Sequence, residues 1–200
     1  MKTAFFFDLD GTITTTELLP CIASELGVAD EIATLTRLTM DGLIPFTDSM
    51  RLRCLILGQV PLERVYSVVD SIPMQSELVD FINSRPEQCA VVTGNLDIWL
   101  QPLMERLACR WFCSSATISS GCVRLNHIID KGQVVRESRA SGKFERHVAI
   151  GDGANDVSML SEAEIGIAYG AVHPPAPCTV DASTLLVNSP EALCKLLKAL

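Results

Sequence analysis

Phe5-Phe6-Phe7 runs straight into Asp8-Leu9-Asp10-Gly11-Thr12. An apolar run that ends in two carboxylates and a Gly-Thr turn can deliver a reactive acid at the carboxyl edge of a buried sheet. Ligands of open α/β sheets bind at that edge. A second such edge follows His147-Val148-Ala149-Ile150, where Gly151-Asp152-Gly153-Ala154-Asn155-Asp156 supplies two more acids. Two strand-end acid clusters so far apart in sequence point to one shared metal site and to phosphate chemistry.

Short apolar, β-prone runs at residues 3–8, 89–93 and 147–151 predict buried strands, the second ended by Gly94-Asn95. Shorter strands are expected at 165–168 and 185–187. Helical patterns lie between them at 76–84, 99–108, 154–163 and 190–199, with Pro102 expected in a first turn. Strands alternating with helices imply an α/β fold: a Rossmann-like parallel sheet with helices on both faces. Residues 13 to about 73 contain no convincing strand. Helix-like pieces near 17–27, 29–40, 47–57 and 61–70 are separated by Gly27, Gly42, Pro45, Gly58 and Pro61. The expected organisation is a core of residues 1–13 and 74–200, with a small helical cap, 14–73, inserted after the first strand. A cap there can act as a lid that excludes water and selects substrates. Its hinges are expected near Thr14–Thr16 and Ile72–Met74.

Two hundred residues, 48% of them hydrophobic, suit one core with a modest insert. A net charge of −8 argues against a nucleic-acid partner, but not against one small phosphate held by local positive charge. The apolar runs break within about 10 residues, too soon for a membrane span. Asp8 and Asp10 interrupt any signal-peptide pattern. The eight cysteines form no CxxC pair and read as reduced, mostly buried thiols of a cytoplasmic protein.

Each candidate residue has a chemical reason. Asp8 can attack a phosphoryl group and form an acyl-phosphate, dividing hydrolysis into two easier steps. Asp10 can protonate the leaving oxygen and then activate water. Thr12 can hold the loop through its hydroxyl. Thr93 and Gly94 offer a hydroxyl and an approachable N–H to phosphate oxygens. Lys131 can offset the repulsion between nucleophile and phosphate; alone, a lysine normally reads as a solvated surface charge. Asp152 and Asp156 make an oxygen-rich site suited to Mg²⁺. Taken alone, Asp152 also fits an ordinary acidic helix start.

Together these segments resemble the haloacid dehalogenase superfamily of phosphotransferases. Asp8–Thr12 matches its first motif, Val91–Gly94 the second, Lys131 the third and Gly151–Asp156 the fourth. The resemblance implies Asp8 as nucleophile and Asp10 as acid/base. It implies Mg²⁺ held by Asp8, the Asp10 backbone carbonyl and Asp152, with Asp156 orienting metal-bound water. Lys131, Thr93 and Gly94 would hold phosphate, with Thr12 and Asn155 also among the phosphate-binding positions. Within the superfamily the chain most resembles the phosphoserine phosphatases, whose helical lid lies between the first and second motifs. That resemblance places Glu17 at the substrate ammonium, Phe46 over the pocket and Arg53 at the substrate carboxylate. An anion for an ammonium and a guanidinium fork for a carboxylate are chemically apt. Asn95 and Leu96 stand where that family commonly has Gly and Phe, and the Pro174-Pro175-Pro177 loop departs from its usual tail.

The expected function is Mg²⁺-dependent hydrolysis of L-phosphoserine by a cytoplasmic monomer or homodimer. The alternatives are a phosphatase for another small phosphate ester, a phosphotransferase to an alcohol such as homoserine, and a non-catalytic phosphate- or metal-binding regulator.

Overall fold

The structure, a computed structural model, describes residues 2–119 and 121–200, with residue 40 described by its backbone alone. The chain opens with β1 (Thr3–Phe7) and then four helices, α1 (Leu18–Ala23), α2 (Ala29–Met40), α3 (Phe46–Leu57) and α4 (Leu62–Asp70). It continues through α5 (Ser76–Ser84), β2 (Cys89–Leu96), α6 (Gln101–Met104), β3 (Arg110–Ser119) and β4 (Cys122–His127). There follow α7 (Lys131–Ala140), β5 (Arg146–Gly151), α8 (Val157–Glu162), β6 (Ile165–Tyr169), α9 (Pro177–Asp181), β7 (Leu185–Val187) and α10 (Pro190–Ala199).

The strands form one sheet in the order β4-β3-β2-β1-β5-β6-β7. All neighbours pair in parallel except β3 and β4. β1 lies between β2 and β5, so the strand order reverses around it, and a crevice opens beyond its carboxyl end. Side-chain alternation along β1 feeds two apolar layers. Phe5 and Phe7 pack on one side, where Phe81 meets Phe5 edge-on with ring centroids 5.2 Å apart. Ala4 and Phe6 pack on the other side with Val134, Val135, Met159 and Leu160. Burial on both faces is why β1 and β2 read as continuous apolar runs.

Several expectations need correction. The second strand runs on through Gly94-Asn95 to Leu96, and its pairing with β3 shifts register between Thr93 and Leu96. Irregular pairing of this kind re-aims side chains near functional sites. The expected helix over 99–108 is shorter: α6 covers four residues, with Pro102 in its first turn. The expected helix over 154–163 begins as a 3₁₀ turn at Ala154–Asp156. The β3–β4 hairpin is an addition to the parallel pattern, turning through Gly121 with φ 76°.

Residues between β1 and α5 form the four expected helices. Where this segment leaves and rejoins the rest, Thr14 and Met74 form an antiparallel bridge. Thr15 donates its N–H to the Pro73 carbonyl at 3.0 Å and Gln75 donates to Ile13 at 2.8 Å. The stretches expected to be hinges are thus laced to each other. All eight cysteines are free; three are buried, three half-buried, and Cys122 and Cys178 are exposed.

Candidate active site

Asp8 follows β1 directly, and its N–H donates to the Ile150 carbonyl at 2.8 Å, extending the ladder with β5 by one residue. The chain then turns sharply. The Leu9 carbonyl accepts from Thr12, Ile13 and Thr14, and Gly11 takes φ 71°, where a side chain is strained. Asp10 is held at both oxygens: Oδ1 accepts from the Leu18 N–H at 3.1 Å and Oδ2 from Asn95 Nδ2 at 2.8 Å. Asn95 therefore contacts the expected acid/base directly.

Lys131 begins α7, whose N-terminus Asp130 caps by accepting from the Gln133 N–H at 3.2 Å. Its buried ammonium donates to Asp8 Oδ1 and to Asp156 Oδ1, each at 2.5 Å. Asp156 Oδ2 accepts the backbone N–H groups of Asp152 at 3.1 Å and Gly153 at 3.0 Å, so this side chain folds its own loop. Thr12 is fully buried and donates to Asp152 Oδ1 at 3.2 Å. Its hydroxyl steadies a carboxylate of the neighbouring loop, in keeping with the loop-holding use expected of it.

Asp8, Asp152 and Asp156 each present a carboxylate oxygen within 4.8 Å of the others. Three buried acids thus face one ammonium. Burial first, then the Asp156 charge, pushes the Asp8 carboxyl up to about 7, against the pull of Lys131. Burial, with Asp8 and Asp156, raises Asp152 well above the usual carboxylate range. Burial alone would lower Lys131, but Asp156 and Asp8 overturn that and hold its ammonium above the ordinary value. Excess buried negative charge on hard oxygen donors fits Mg²⁺. The Asp10 carboxylate lies outside this trio; it too is raised, by burial first and then by Glu17 and Asp8.

A cavity of about 60 Å³ lies above these groups. Asp8, Asp10, Thr93, Gly94, Asp152 and Asn155 line it from below, and Glu17, Phe46 and Arg53 from the helices after β1. Lys131, Asp156 and Thr12 are not part of its lining, and Lys131 instead lines an adjoining pocket with Phe46, Gly94 and Asn155. The Phe46 ring packs against Gly94, where any Cβ would run into ring carbon Cζ. Arg53 is only 3% exposed and donates from one terminal nitrogen to Thr36 Oγ1 at 3.0 Å. Its Nε has no partner. Burial lowers the Arg53 pKa from its ordinary value, while Glu17 and Asp10 support the charge.

One residue at the site had no motif to announce it. His173, in the proline-rich loop after β6, sits with Nε2 3.2 Å from Asp152 Oδ2 and 3.4 Å from Glu17 Oε1. A lone histidine before two prolines carries no periodicity or spacing; the loop's departure from the family pattern was the one available signal.

The family model of haloacid dehalogenase-like hydrolases matches residues 5–161, and the chain belongs to that family. It is 33% identical over 182 residues to a phosphoserine phosphatase of Archaeoglobus fulgidus, covering 85% of this chain and 53% of that protein. It is 31% identical over 186 residues to one of Methanocaldococcus jannaschii, covering 85% of this chain and 86% of that protein. The chain thus spans about half the length of the first relative and most of the second. A solved phospho-aspartyl intermediate analogue of phosphoserine phosphatase superposes with TM-score 0.84 at 26% identity, covering 100% of this chain and 98% of that one. A substrate-bound phosphoserine phosphatase complex gives 0.85 at 25% identity, with the same coverage. Among the described residues, no helix is long and apolar enough to cross a membrane.

Proposed function

We propose that this chain is a Mg²⁺-dependent phosphomonoesterase that works through a phosphoryl-Asp8 intermediate and takes L-phosphoserine. Residues 14–73 act as its lid. The observation that carries the substrate reading is the buried Arg53, whose Nε lacks a partner in the same small cavity as Glu17 and Asp8. A buried guanidinium with an unspent N–H suits a carboxylate ligand.

Asp8 attacks phosphorus as the bond from phosphorus to the serine oxygen breaks. Asp10 delivers its proton to the departing oxygen, and its raised pKa keeps that proton available. It then takes a proton from the water that opens the acyl-phosphate. Lys131 favours the anionic form of Asp8 before attack. Thr93, Gly94 and Asn155 hold phosphoryl oxygens. Mg²⁺, held by Asp8, Asp152 and the Asp10 carbonyl with Asp156 beside it, would draw charge from the phosphoryl group.

Phosphate release across L-phosphoserine, phosphothreonine, homoserine phosphate, a sugar phosphate and p-nitrophenyl phosphate tests the reading. A kcat/KM for phosphoserine about 100-fold above the rest, worth about 2.7 kcal/mol, is expected. A flat profile would retain the chemistry and discard the substrate. One observation favours a second reading, an ester without an ammonium: His173 already stands beside Glu17.

A further inference from the structure

We propose that His173, Glu17 and Asp152 form a second cation site at the cavity mouth, selective for a borderline transition-metal ion such as Zn²⁺ over Mg²⁺. His173 Nδ1 lies 3.3 Å from the Pro174 carbonyl oxygen. A carbonyl only accepts, so whenever the ring is neutral Nδ1 carries its proton and Nε2 holds the lone pair. That lone pair points toward two carboxylates, which are acceptors as well. Nε2 is buried and makes no hydrogen bond, although Asp152 Oδ2 and Glu17 Oε1 lie only 3.2 and 3.4 Å away. Three acceptors converging on one point call for a positive charge between them, either a proton on Nε2 or a metal ion. A ring nitrogen fixed by donating its other N–H to a backbone carbonyl is the usual arrangement of a metal-binding histidine.

The spacing fits. Zinc sits about 2.0–2.2 Å from nitrogen and carboxylate oxygen, so two ligands of a tetrahedral ion are separated by about 3.3 Å. The three ligand atoms all lie within 4.8 Å of one another. The spot stays open because Gly11 has no side chain: a Cβ there would lie 2.6 Å from His173 Nε2 and 3.0 Å from Asp152 Oδ2. Imidazole in the donor set selects against Mg²⁺, which prefers oxygen and keeps its waters. The all-carboxylate trio of Asp8, Asp152 and Asp156 has the opposite preference, and Asp152 belongs to both groups. The rival occupant is a proton on Nε2, which zinc must displace. Zinc binding does not depend on the function proposed above. Its consequence does: zinc would withdraw Glu17 from the substrate ammonium.

Equilibrium dialysis of Zn²⁺ against the whole chain in excess Mg²⁺ should show one zinc retained per molecule. His173→Gln should weaken it by at least about 100-fold, since losing even an outer-shell partner costs 10–100-fold. Far-UV circular dichroism of His173→Gln should match that of the unmodified chain, which separates loss of a ligand from loss of the fold. Co²⁺ should give the intense visible bands of a low-coordinate nitrogen–oxygen sphere, with no cobalt–thiolate charge-transfer band. No retained zinc, retention indifferent to His173→Gln, or a thiolate band in the unmodified chain would each overturn the site. Zinc should also raise KM for phosphoserine more than that for p-nitrophenyl phosphate, because Asp152 serves both substrates while Glu17 serves only the ammonium. If His173-dependent zinc adds no effect on phosphoserine beyond that shared with p-nitrophenyl phosphate, the site stands and the Glu17–ammonium reading falls.

Discussion

The floor and the roof of the cavity are built on opposite rules. On the floor, Asp156 binds Lys131 with one oxygen and two backbone N–H groups with the other, while Lys131 bridges two acids. Removing one such group leaves buried partners uncompensated. On the roof, Arg53 has a free Nε, and Glu17 meets an imidazole outside hydrogen-bonding alignment. A fully satisfied network resists change, whereas an unsatisfied one is open to a ligand. Chemistry is fixed in place on one side; recognition is left to be completed on the other.

The largest test of that contrast is Asp8→Asn. Turnover should fall by at least about 10⁴-fold, as for other nucleophile removals, with the unfolding temperature retained. Activity near the original level would remove Asp8 as nucleophile. Lys131→Met should be the costliest floor change for stability. In metal-free protein it should lose about 3–5 kcal/mol in urea unfolding, because two buried carboxylates lose their counter-charge. A loss under about 1 kcal/mol would mean the floor tolerates a missing charge. Arg53→Ala, on the roof, should lower kcat/KM for phosphoserine by about 100-fold while p-nitrophenyl phosphate changes little. Equal losses would sink the carboxylate clamp.

The smallest effect lies away from both. Glu164 accepts from the His147 N–H at 2.6 Å and pairs with its ring at 3.0 Å. Burial works against the charged form, but these bonds and Arg139 prevail and lower its pKa from 4.5. Stability from this group is therefore full above the unfolded value and lost as pH falls through the folded one. Glu164→Gln should cost a little stability at pH 7, and the gap to the unmodified protein should close as pH falls through the lowered folded-state value. A gap unchanged by pH would mean that packing, not charge, holds this corner.

The floor was legible in the sequence because strands buried on both faces read as unbroken apolar runs, and a reactive acid must follow such a strand directly. Asp8 and Asp152 were found that way. The β3–β4 hairpin was not, because its outer half is exposed and carries no apolar run. Helix α7 escaped as a pattern because it buries few residues: Lys131, Gly132, Val134 and Val135. Glu17, Phe46 and Arg53 could be placed only by resemblance, since a helical acid, a ring and an arginine have ordinary uses everywhere. The partner of Thr12 was not legible either: its hydroxyl meets Asp152, 140 residues away in the chain.

The bridge between Thr14 and Met74 has an evolutionary corollary. Seen from the sheet, everything between these residues occupies the place of a single turn. Segments whose ends meet can be lengthened, shortened or exchanged with little strain on their host. A descendant of this chain could therefore acquire a new roof, and with it a new diet of phosphate esters, while inheriting its chemical apparatus unaltered.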